Sequence, residues 1–193
     1  MLPLIDKYKN RPALSLVDGN TNTYSQVYEK AKLVANALSK LGIEKKSNVG
    51  ILASGMPEWG ISYFGIVCYE RIAVPMLTEF SLSELITIFE HSQQSAIFIE
   101  KKLIKKFENE LDKFPPVIIQ MEDFRIVKGP DSFVGKTIFD FDEDVNLFMN
   151  AEEDDIASIN YTLGTTGRSK GVMLTHKNLV WMAVLEFADF SHT

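Results

Sequence analysis

Apolar residues recur along this chain with two spacings, and their alternation predicts short strands joined by helices. Between Tyr24 and Gly42 they fall at Val27, Ala31, Val34, Ala35, Leu38 and Leu41. Steps of three and four residues put them on one helical stripe. Ser25 is placed to cap that helix, and Gly42 stands where a C-terminal glycine would end it. Val49 to Ala53 is a continuous apolar run of strand length, followed by a Ser-Gly turn. Pro57 is preset for a first helical turn, so an apolar helix from Glu58 to about Tyr69 is expected before a second strand, Ile72 to Leu77. Ser81 and Glu84 have capping-box spacing for a helix through His91. Ala96 to Ile99 predicts a third strand, Lys101 to Lys113 an amphipathic helix, and Val117 to Gln120 a fourth strand behind Pro115 and Pro116.

Strands and helices in strict alternation imply an α/β fold, a parallel sheet flanked by helices, with ligands bound beyond the carboxyl ends of the strands. No internal repeat or low-complexity tract interrupts the pattern. From Met121 to Glu153 it weakens around Gly129, Pro130 and Gly135, so 121–153 is expected to be an irregular acidic connector. Ile156 to Thr162 is the next strand candidate.

At 193 residues the chain has the length of about one domain. Apolar residues make up 46% and charged residues 24%, a globular rather than a disordered composition. Twenty Lys and Arg against 26 Asp and Glu leave a net charge of -6, which removes the electrostatic basis for general nucleic-acid binding. Cys68 is the only cysteine, so neither an intrachain disulfide nor a thiolate metal site is expected. The start of the chain lacks the apolar core of a signal peptide, and Glu70 and Arg71 break the most apolar later stretch. A cytoplasmic protein without a transmembrane segment is expected, with peripheral membrane contact as a secondary placement.

The stretch Tyr161-Thr-Leu-Gly-Thr-Thr-Gly-Arg-Ser-Lys-Gly-Val172 carries most of the chemistry. Gly164 and Gly167 let the backbone turn so that successive N-H groups point into one concavity suited to an anion. Thr162, Thr165 and Thr166 add hydroxyl donors and Lys170 adds a cation, the set a polyphosphate requires. The spacing differs from the Walker loop, because Ser169-Lys170-Gly171 stands where that pattern has Gly-Lys and a hydroxyl residue.

The segment YTLGTTGRSKGVMLTHKN resembles the YTSGTTGxPKGVxxTHxN signature of the adenylate-forming (AMP-binding) superfamily, which includes acyl-CoA synthetases, luciferases and peptide-synthetase adenylation domains. NTYSQVYEKAKLVANALSKLGIEKKSNVGILASGMPEWGISYFGIVCYERIAVPM and SLSELITIFEHSQQSAIFIE resemble the family's upstream segments in the same order. The resemblance covers Thr23 to Glu100 and Asp154 to Asn178, the N-terminal portion of a family member. It implies ATP phosphate binding by Thr162, Gly164, Thr165, Thr166, Gly167 and Lys170. It also implies activation of a carboxylic acid as an acyl-adenylate, with ATP and Mg2+, and transfer to coenzyme A. The flanking sequence reads most like long-chain-fatty-acid–CoA ligases. An aryl or amino acid substrate, a non-catalytic folded fragment and a phosphate-binding module are the alternatives.

Leu163 and Ser169 depart from the signature, and Glu70 and Arg71 stand where small residues are common. The family's aromatic-Gly-x-Thr-Glu motif, its ribose-binding Asp and its C-terminal Lys have no counterpart in the 193 residues. The C-terminal domain is therefore expected to be absent and the isolated chain inactive.

Other features carry less chemistry. Thr175 is placed as a helix N-cap and His176 as part of that turn, because no nucleophile or carboxylate partner is visible for catalysis. Cys68 sits on an apolar helix as a small core residue. Asp140, Asp142 and Asp144 start like a calcium loop, but Val145 and Ala151 occupy the places of its glycine and glutamate, so no metal site is expected. Lys101, Lys102, Lys105 and Lys106 form the solvated face of a core helix, with a membrane-binding helix as the alternative.

Overall fold

The computed structural model describes residues 7–17, 19–142, 151–162 and 170–182. Nine strands and four α-helices are defined within them: β1 Pro12–Ser15, β2 Thr21–Thr23, α1 Tyr24–Lys40, β3 Asn48–Leu52, α2 Pro57–Val67, β4 Ile72–Met76, α3 Leu82–Ser92, β5 Ala96–Ile99, α4 Lys101–Lys106, β6 Val117–Gln120, β7 Ile126–Lys128, β8 Ile156–Thr162 and β9 Lys170–Thr175. A further helix begins at His176, behind β9.

The main sheet runs β7-β6-β5-β3-β4-β8-β9. Its five central strands are parallel, as the alternation predicts, while β7 and β9 close the two edges in antiparallel fashion. β1 and β2 form a separate two-stranded ribbon. Side chains of the central strands alternate between two cores, the period-2 consequence of a pleated sheet buried on both faces. Val49, Ile51, Ala73, Ala96, Phe98 and Ile119 pack with Val34 and Leu38 of α1 and Ile61 and Ile66 of α2. Leu52, Val74, Ile97, Ile99 and Ile118 pack on the other side with Leu85, Ile88 and Phe89 of α3 and Leu103 of α4.

The helix predicted from the first stripe forms, but its N-cap is Thr23 rather than Ser25. Thr23 accepts from the Gln26 N-H while the Gln26 side chain accepts from the Thr23 N-H. At the other end Gly42, at φ 78°, sends its N-H to Ser39 while Ile43 bonds the Leu38 carbonyl, a Schellman closure. The helix expected over Lys101 to Lys113 stops at Lys106, and a 3-10 turn covers Leu111–Lys113. The aromatic rings explain the break. Seven residues of straight helix advance about 10 Å, yet the Phe107 and Phe114 rings lie 5.6 Å apart, and Phe114 lies 4.9 Å from Phe89. The chain must fold back to bury both, and Lys128 Nζ donates to the Leu111 and Phe114 carbonyls.

The stretch expected to be irregular contains β7 and a 3-10 turn at Ile138–Asp140, while 143–150 lie outside the described residues. Asp140 caps its own turn by accepting from the Thr137 N-H and hydroxyl. On α4, Leu103 and the following Phe107 are buried while the four lysines are exposed. Its apolar face is therefore committed to the core.

Candidate functional site

β8 delivers its carboxyl end to the rim of the sheet, and β9 returns antiparallel beside it. Thr162, the last residue of β8, is paired directly with Lys170, the first residue of β9. Both side chains are exposed. The hydroxyl and the ammonium predicted to meet a polyphosphate thus flank the mouth of one hairpin. Gly164, Thr165, Thr166 and Gly167, the remaining predicted residues, lie outside the described residues.

Behind the hairpin the register continues from Tyr161 opposite Gly171 to Ile156 opposite Thr175. Thr175 then caps the following helix: its hydroxyl accepts from the Asn178 N-H, and the Asn178 side chain accepts from the Thr175 N-H and hydroxyl. His176 donates its backbone N-H to the Asp155 carbonyl, and burial pushes its imidazole pKa down against the opposing charge of Asp155. Thr175 takes the predicted cap position, whereas His176 has the carboxylate neighbour, Asp155, that the sequence did not show.

A cavity of about 540 Å3 opens at the carboxyl ends of β3, β4 and β8, the end where open α/β sheets bind ligands. Trp59 and Tyr63 of α2 line it as a near-parallel pair, 5.3 Å between centroids and 8° between planes. Met76, Leu77, Asn160 and Tyr161 add to its wall. Tyr161 connects cavity and hairpin, since it immediately precedes Thr162. Burial raises its hydroxyl pKa, with a Ser92 side-chain hydrogen bond opposing the shift, so the phenol is neutral at physiological pH.

β3 and β5 are neighbours whose onward connections diverge, to β4 on one side and β6 on the other. This is the topological switch point of the sheet. A polar lock closes it. Glu100, just past β5, accepts from the Ser54 N-H at 3.0 Å and the Ser54 hydroxyl at 2.8 Å, while Lys102 Nζ stands 2.9 Å from Glu100 and 3.0 Å from Ser54 Oγ. Glu100 is 8% exposed. Burial would raise its carboxyl pKa, but the hydrogen bonds from Lys102 and Ser54 and the Lys102 charge prevail and lower it. Ser54 also lines the cavity, which extends from this point toward β4 and β8.

The sequence marks Thr162 and Lys170 but not the strand β9 that pairs them, nor Ser54, Glu100, the aromatic pair and His91; Lys102, expected only on a solvated face, bonds Glu100 and Ser54. Ser54, Glu100 and the aromatic pair follow the carboxyl ends of β3 and β5, a signal readable only once strand order is known, while His91 lies at the end of α3 and carries no such signal. Among the described residues, no group of three or more His, Cys, Asp or Glu side chains is placed to hold a metal ion.

Comparison with known proteins converges on one family. The profile described as "AMP-binding enzyme" matches residues 5–192. A long-chain-fatty-acid–CoA ligase of Xenopus laevis is 29% identical, with 93% of this chain aligned to 26% of the relative. A 4-coumarate–CoA ligase of Petroselinum crispum is 30% identical, with 84% of this chain aligned to 29% of the relative. A crystal structure of a benzoate CoA ligase from Burkholderia xenovorans superposes with a TM-score of 0.79 at 20% identity, covering 95% of this chain and 35% of that one. The chain spans less than a third of the length of the curated relatives it matches.

Proposed function

Because this chain belongs to the AMP-binding enzyme family of adenylate-forming acid–CoA ligases, we propose that it is the N-terminal, phosphate-gripping part of an ATP-dependent acid–CoA ligase. The pairing of Thr162 with Lys170 across the hairpin mouth carries the reading. A carboxylate substrate is ionised at neutral pH and needs no general base to attack the α phosphate. What that step requires is charge stabilisation and in-line placement. Lys170 supplies positive charge against the departing pyrophosphate, and the Thr162 hydroxyl supplies a short donor beside it. Gly164, Thr165, Thr166 and Gly167 complete the proposed phosphate set. Magnesium, when bound with ATP, would neutralise phosphate charge. Coenzyme A would receive the acyl group.

Long-chain fatty acid is the proposed substrate class, supported by the Xenopus laevis relative. The 4-coumarate–CoA ligase match favours an aryl acid as the second reading. Cytoplasmic placement is part of the proposal, and among the described residues no helix is long and apolar enough to cross a membrane.

Competition tests the phosphate assignment. Tripolyphosphate is expected to displace ATP from the chain and adenosine to leave it bound; displacement by adenosine alone would overturn the assignment. With ATP and palmitate the 193 residues are expected to release no acyl-adenylate, and its appearance would show that this part suffices for the first step.

A further inference from the structure

Toward its carboxyl end β8 relies on β9, with which it stays paired as far as Thr162 opposite Lys170. Against β4 it is matched only at Ala73 and Ser158, and on its other side lies the edge strand β9. Thr162 is four residues beyond that match, where a contact from outside the sheet adds to the support that β9 gives.

Tyr161 provides the link. It is 7% exposed and lies opposite Gly171 in β9. A Cβ at Gly171 would stand 2.9 Å from Ile159 Cγ2 and 3.3 Å from Tyr161 Cζ. The missing side chain is what lets the aromatic ring lie across the neighbouring strand, as cross-strand aromatics do over glycine. The far end of the ring reaches α3: the Tyr161 hydroxyl and His91 Nδ1 share a hydrogen bond of 2.6 Å, and the two rings meet edge to face at 5.8 Å. α3 itself is fixed, because Leu85, Ile88 and Phe89 are all buried in the second core.

We propose that His91 is a positioning residue for the phosphate hairpin, holding Thr162 and Lys170 in register with a bound triphosphate through Tyr161 and Gly171. This rests on the reading of the hairpin as an ATP phosphate site. The bond to His91 ties both hairpin strands to α3, a helix buried along one face, since Tyr161 belongs to β8 and its ring covers β9. His91 does not itself touch the nucleotide.

The test is ATP titration of the full 193-residue chain in parallel with its variants. His91→Leu and Tyr161→Phe each remove the same hydrogen bond and are expected to weaken ATP binding about five-fold. Tyr161→Phe also removes the Ser92 contact of the hydroxyl, so the double variant should bind no more weakly than Tyr161→Phe alone, because the His91 bond is already lost there. His91→Asn places a hydrogen-bonding atom near the position of Nδ1 and should restore affinity to within about two-fold of the parent chain. A role in folding alone would shift the urea midpoint without this pattern of loss and rescue in affinity.

Lys170→Ala separates the two levels of the argument. If it weakens ATP binding while His91→Leu and Tyr161→Phe do not, the positioning role is overturned and the phosphate site stands. If Lys170→Ala also leaves affinity unchanged, the phosphate reading fails and the positioning role falls with it. Should His91→Leu fold poorly, Tyr161→Phe keeps the ring over Gly171 and decides the matter alone.

Discussion

Glu70 holds a left-handed backbone at φ 63°, a conformation costly for a side chain with a Cβ. Its carbonyl accepts from the Lys46 N-H and its carboxylate pairs with Lys45. The neighbouring Arg71 is 3% exposed and donates to the Ile43 carbonyl and the Ser39 hydroxyl; burial pushes its pKa down to about 10, against the favourable charge of Glu70. The sequence marked this pair as a departure from small residues. Its partners were not legible there, since the Ile43 carbonyl lies 28 positions away. Glu100 makes the stability of the chain depend on pH. Its folded pKa lies below the ordinary carboxylate value, so its stabilisation is present above about pH 4.5 and is lost as pH falls through the lowered folded value. Urea unfolding measured between pH 6 and 3 should show a shallower acid decline in Glu100→Gln than in the parent chain. Parallel declines would mean that the Ser54–Glu100–Lys102 lock contributes nothing.

Elements with a long apolar period were readable, and short edge elements were not. The helices α1, α2 and α3 and the strands β3, β4, β5, β6 and β8 follow from runs whose period survives several residues. β1, β2 and β7 are as short as β5 and β6 but only partly buried, so they lack the continuous apolar run that marks those two. β9 escaped notice because its sequence, KGVMLT, is exposed on an edge and does not alternate. Nor does the α1 pattern announce how closely α2 approaches it. A Cβ at Gly65 would stand 2.6 Å from Val34 Cβ and 2.7 Å from the Ala31 carbonyl oxygen. Gly65→Ala must therefore push two helices apart, and urea denaturation is expected to show a loss of about 1–3 kcal/mol. An unchanged midpoint would contradict this close crossing.

For the whole molecule, alternation of strands and helices disclosed a parallel sheet with helices on both faces. Strand order stayed hidden, because β3 is flanked by the two strands that follow it in the chain. That order sets the cavity at the carboxyl ends of β3, β4 and β8, where it adjoins the hairpin. The candidate site was legible through Thr162 and Lys170, whose spacing within one motif needs no tertiary knowledge. Its support through His91 joins residues 70 positions apart and required the fold. The exposed apolar residues Val172, Met173, Val180, Trp181 and Met182 gather on β9 and the helix behind it, so the same hairpin carries both the polar mouth and an apolar outer surface. Calorimetric titration of ATP into this chain and into Lys170→Ala decides whether the hairpin grips the phosphates. Loss of the one cation paired with Thr162 should weaken ATP binding about ten-fold or more, the scale of a charge-assisted contact. Equal affinity in the two proteins would contradict the assignment of this hairpin to the phosphates.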